Sequence, residues 1–168
     1  MSNLNILHLL IAGGVLGAIA TLRREASGRS LTAGRLFIAP VLAFLAAILM
    51  LSLAGPQART PALWIGALAA GLMAGTARGI VMSLQVDRVW DRLRLPHARD
   101  GLWAGCLLAV VALAAFAGHA VAADLATGLV LDAATAAAAA GCSGYLAGRA
   151  SSLWLRTLNA PHSTWRVL

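Results

Sequence analysis

Charge is scarce in this chain, at 11% of 168 residues, while hydrophobic residues make up 60% and mean hydropathy is +0.82. Soluble domains carry roughly 25% charged residues, so an ordinary water-soluble globule is excluded and lipid is the predicted solvent for most of the chain. Lysine is absent altogether, all 13 basic residues being arginine. A formal charge of +7 can signal nucleic-acid binding, but these arginines fall in short clusters between long apolar runs, and no nucleic-acid motif accompanies them. Anionic lipid headgroups are therefore the predicted counter-charge, and nucleic acid is not a predicted partner.

Cysteine is nearly as rare, with only Cys106 and Cys142 and no CxxC, which leaves no disulfide framework and no zinc signature. A buried cysteine ordinarily packs as a small hydrophobe; a membrane thiol relay between the two is the alternative. No phosphate loop and no serine-nucleophile motif is present, so neither an enzyme nor a cofactor is predicted. The amino terminus also lacks the basic segment that opens a secretory leader. Although Ala18, Ile19 and Ala20 form a small-x-small triplet, the arginines follow the apolar run, which predicts an uncleaved first membrane helix.

What the chain does have is five apolar stretches of membrane-spanning length, roughly 4–22, 36–54, 62–84, 101–123 and 125–155. They predict an all-α polytopic bundle in a single membrane domain. The last stretch exceeds the need of a bilayer and should tilt or continue as helix beyond it. Arginines mark alternate loops: Arg23, Arg24, Arg29 and Arg35 in the first, Arg88, Arg92, Arg94 and Arg99 in the third, Arg156 and Arg166 in the tail, but only Arg59 in the second and none in the fourth. Positively charged loops stay in the cytoplasm, so the predicted amino terminus is outside and the carboxyl terminus cytoplasmic. Trp64, Trp90, Trp103 and Trp154 fall near the predicted interfaces, where indole rings anchor helices. In the third loop, Val86, Val89, Trp90 and Leu93 have helical spacing and predict a short amphipathic helix in the headgroup region that Pro96 would end. An alternation of Leu84, Val86, Leu93 and Leu95 is a weaker, two-strand reading.

Several residues stand out against this apolar background. Gly71, Gly75 and Gly79 form a GxxxGxxxG series in the third span, Gly101 and Gly105 a shorter one in the fourth, and Gly128, Ala136, Ala140, Gly144 and Gly148 a small-residue series in the fifth. Such stripes let helices approach closely, within one chain or across a homodimer. Arg78 projects toward the small-residue side of its helix, about 9 Å from the predicted cytoplasmic end, and reads as the single basic residue of an apolar core. Snorkelling to the interface is one reading of it; a paired, functionally used arginine is the other.

Asp132 is the more costly residue, because a carboxylate snorkels less far and an aspartate at a helix centre costs about 2.5–3.5 kcal/mol. A polar inter-helix contact or a site for a proton, ion or ligand would account for it. Arg78 is its candidate partner, but the two backbones differ in predicted depth by about 13 Å, which opposes a direct ion pair. His8 shares the depth of Asp132, and His119 with Asp124 flanks the fourth loop as capping and solvated residues, too few for a metal site.

The run "GTARGIVMSLQVDRVWDRLRLPHARDGLW", with Arg78, Gly79, Asp87, Trp90, Leu102 and Trp103, resembles the CcdC-like membrane proteins, and "RSLTAGRLFIAPVLAF", with Pro40, is similar to that family's early region. The resemblance covers about half of the chain. It implies a bacterial inner-membrane protein without established enzymatic activity, loosely linked by family name to cytochrome c maturation. No family residue maps onto Asp132. The leading expectation is a non-enzymatic accessory or assembly factor, with another membrane protein or a second copy as partner. A small transporter or proton-coupled channel using Asp132, and a thiol-redox protein using Cys106 and Cys142, are the alternatives; an odd span count without internal repeat argues against a complete inverted-repeat transporter.

Overall fold

A computed structural model describes residues 6–87, 92–95, 99–121 and 125–159. Five helices dominate it: α1 (Ile6–Ala26), α2 (Ile38–Leu53), α3 (Pro61–Val81), α4 (Asp100–Val121) and α5 (Leu125–Asn159); each is long and apolar enough to cross a membrane, α2 together with the 3-10 turn Ala33–Phe37 that leads into it. The protein is an all-α bundle of membrane-spanning helices. Local chemistry sets several ends. Pro61 opens α3, where its missing N–H leaves no bond unmade, and Pro40 sits in the first turn of α2 for the same reason. After α1, Gly28 adopts a φ of +66°, a left-handed turn that side chains with a Cβ resist, and its N–H donates to the Glu25 carbonyl. Arg59 closes α2 by donating to the Ala54 and Ser52 carbonyls, and Arg156 closes α3 by donating to those of Gly79 and Met82.

Helix α5 is the spine. With 35 residues it is about 52 Å long, well beyond the roughly 30 Å of a bilayer's hydrocarbon core. Every other long helix packs on it or on its neighbours, and α3 leans on α5 almost alone. The two run parallel and very close. A Cβ at Gly75 would collide with the Tyr145 carbonyl oxygen, and one at Gly148 with that of Leu72, so backbone meets backbone along the contact. Elsewhere the core is alanine, with Ala39, Ala43, Ala47 and Ala139 fully buried and Ile11, Leu22, Leu108 and Leu146 filling the gaps.

The third loop departs from the helical expectation. Gln85–Asp87 and Arg92–Arg94 are strands β2 and β3, and Leu31–Thr32 is β1, in an antiparallel sheet of order β1-β3-β2. The weaker, two-strand reading holds over these residues and the amphipathic helix does not; Val89, Trp90 and Pro96 lie outside the described residues. The register explains why. Leu31, Leu93 and Val86 stand in one cross-strand row, all buried, while Thr32, Arg92, Arg94 and Gln85 point outward. Leu31 and Leu93 join Leu36, Met82, Leu95, Ala150 and Leu153 in a second apolar cluster that caps this end of the bundle. A third strand drawn from more than fifty residues upstream supplies the ladder, and a local periodicity count contains no trace of it.

Candidate functional site

The residues with most chemistry meet beneath that sheet. Glu25 closes the last turn of α1, Asp100 opens α4, and Arg149 with Tyr145 lies one turn apart on the same face of α5. Arg149 is the centre, with 2% of its side chain exposed. Its Nη1 donates to Glu25 Oε2 at 2.9 Å and its Nε to Asp100 Oδ2 at 3.0 Å. The Tyr145 hydroxyl donates to the same Asp100 oxygen at 3.2 Å, and Arg78 Nε approaches it to 3.6 Å from α3. Gly101 makes room for the guanidinium, since a Cβ there would lie 3.3 Å from Arg149 Cζ.

Two guanidiniums against two carboxylates make the cluster formally neutral, which is the condition for placing charge where water is scarce. The guanidinium fork is divided: it grips one carboxylate from α1 and another from α4 instead of one bidentate partner. Arg149 Nη2 and Asp100 Oδ1 are buried with no hydrogen-bond partner. The arrangement ties three helices to one point. Asp100 also faces the positive end of its own helix, an additional favourable term.

Of the two residues singled out from sequence, Arg78 belongs to this cluster as its outermost member, with 49% of its side chain exposed. Asp132 does not. It lies 17 residues from Arg149 along α5, about 25 Å away, at the opposite end of the bundle. The structure therefore does not bring Arg78 and Asp132 together. Asp132 instead borders a small cavity of about 10 Å³ with Met50, Leu53, Phe116 and Thr135, and the His8 ring packs on Phe116 at a centroid distance of 4.9 Å. His8 and Asp132 thus share a neighbour at one end, as their common predicted depth suggests. Asp124 lies outside the described residues, as does the side chain of His119. Among the described residues no group of three potential ligands could hold a metal ion.

Arg149 corrects the expectation that Arg78 is the single basic residue of an apolar core. It falls inside the predicted fifth span, and the cost that drew notice to Arg78 applies to it with more force. Glu25 and Asp100 carried no such signal, because each follows or precedes a run of arginines and reads as part of a solvated loop. The cysteines do not form a bridge: both are free, Cys106 exposed on α4 and Cys142 buried in the core on α5.

The described arginines sort by end. Arg23, Arg24, Arg29, Arg35, Arg92, Arg94 and Arg99 are all exposed around the sheet and the adjoining helix ends, whereas Arg59 at the other end is engaged in capping α2. No family model matches the chain, and neither a curated protein nor a solved structure was found to be similar to it.

Proposed function

We propose that the chain is a bacterial inner-membrane protein of the CcdC-like kind, acting as a non-enzymatic accessory or assembly factor with its amino terminus outside and its carboxyl terminus in the cytoplasm. The observation that carries this reading is the use made of the buried charges. Arg149 donates one hydrogen bond to Glu25 and one to Asp100, and these two links hold α1, α4 and α5 in fixed relation, as a scaffold requires. The orientation is supported by the exposed arginines gathered at the sheet-bearing end, which favour the anionic inner leaflet and retention in the cytoplasm.

The small-residue stripes serve as packing motifs within the chain, joining α3 to α5. The far side of α3 remains open, with Met73, Ile80 and Val81 exposed, for lipid, a second copy or another membrane protein. A transport role through Asp132 has less support: between Thr135 and Ser143, α5 offers only alanine, glycine and a cysteine over about 12 Å, and the hydroxyls at both ends already donate to their own helix.

Purification of a tagged chain in mild detergent, followed by mass spectrometry of what accompanies it, is the deciding experiment. Recovery of a stoichiometric membrane-protein partner is the expected result. A proton or solute flux in proteoliposomes that Asp132→Asn abolishes without unfolding would overturn the accessory reading. Loss of the cellular phenotype on replacing Cys106 and Cys142 by serine would replace it with the thiol reading.

A further inference from the structure

On the side of α1 away from Arg149, a groove of about 430 Å³ runs from the apolar middle of the helix to its charged end. Leu16, 66% exposed, and Ala20 form its floor; Arg23, Arg24 and Ser27 continue the same stripe two turns further on. The loop after α1 supplies the remaining lining. Gly28, at a φ of +66°, turns the chain back so that Arg29 lines the groove as well, and Arg94 Nε holds that turn by donating to the Gly28 carbonyl at 2.8 Å. Three guanidiniums thus converge at one end of a lipid-facing apolar track.

We propose that this groove is a binding site for one anionic phospholipid, its phosphate between Arg23, Arg24 and Arg29 and its first acyl methylenes along Ala20 and Leu16. The inference rests on the membrane reading above, but not on its orientation. Charge complementarity names the occupant. Glu25, the acidic residue of α1, is turned into the core by Arg149, so among the described residues the groove presents three positive charges and no carboxylate. The negative end of α1 opposes an anion with only about half an elementary charge. Arginine forks match phosphate oxygens in pairs, whereas a choline or ethanolamine cation would meet like charge. The distance also fits: seven residues from Leu16 to Arg23 span about 10 Å, the depth from a headgroup phosphate to the upper acyl chain.

The test is native mass spectrometry of the full chain in non-ionic detergent with equal amounts of phosphatidylglycerol and phosphatidylcholine of identical acyl chains. Phosphatidylglycerol should be retained about tenfold more strongly. Arg23→Gln, Arg24→Gln and Arg29→Gln combined should erase that preference, while Arg35→Gln, Arg92→Gln and Arg99→Gln, which remove as much charge from the same end, should preserve it. Leu16→Trp should weaken retention by obstructing the track. If the combined groove variant misfolds, Arg29→Gln alone, in the loop, should lower the preference about threefold. Equal loss in both triple variants would mean diffuse attraction and would sink the site, as would equal retention of the two lipids, no effect of Leu16→Trp, or a doubled mass showing a second copy on this face. Because binding in detergent is independent of the leaflet, orientation is read separately, from labelling of Ser30→Cys and Gln57→Cys in intact cells.

Discussion

The two ends of α5 treat buried polarity in opposite ways. Near one end Arg149, 2% exposed, is gripped by carboxylates from two other helices; near the other, Asp132 is half-buried beside a small cavity and an aromatic pair. The first arrangement locks helices together and tolerates little change. The second sits partly exposed on α5, outside the fully buried core. Burial, not the mere presence of a charge in an apolar run, decides how much a polar residue matters to the bundle.

That contrast can be broken experimentally. Arg149→Met should have the largest effect, about 3–5 kcal/mol of lost stability, because it removes the guanidinium bonded to the buried Glu25 and leaves Asp100 only the longer contact to Arg78. Chemical unfolding in detergent micelles would measure it, and adding Glu25→Gln and Asp100→Asn should restore most of the loss. A loss no larger than that of Asp132→Asn would erase the distinction between the two ends. Gly75→Val comes next, at about 1–3 kcal/mol or more, since its side chain must push α3 off the α5 backbone. Reduced cross-linking between cysteines placed on α3 and α5 would report it.

Asp132→Asn should cost less than about 1 kcal/mol, in keeping with a partly exposed group that keeps a polar side chain of the same shape. Arg78→Gln should be smaller still. Its guanidinium is half exposed and reaches Asp100 only at 3.6 Å, and such pairs contribute about 0–1 kcal/mol. A large destabilisation by Arg78→Gln, measured in the same unfolding series, would place it inside the clamp and not at its edge.

Much of this organisation was legible in the residues. The five apolar runs, their approximate limits and the alternation of arginine-rich loops follow from hydropathy and charge, because each span must satisfy its own backbone in lipid. Arg78 at a helix end and the separation of Arg78 from Asp132 in depth were equally readable. Arg149 is legible too: an arginine beside Gly148 and Ala150, inside a stretch of membrane-spanning length, carries the same cost as Arg78. Glu25 and Asp100 were not. Each stands next to arginine in sequence, and only the packing of α1 and α4 against α5 removes them from that solvated company.

The amino-acid sequence by itself determined the environment, the number of helices and their alternating direction, since these depend on transfer free energies summed over one segment at a time. Tertiary structure alone decided which charges are partners, that strands from the first and third loops form one sheet, and that the acidic residue of α1 faces inward while its arginines face out. Those outcomes depend on groups far apart in the chain: a buried charge or an open ladder edge is stable only when a distant segment supplies its complement.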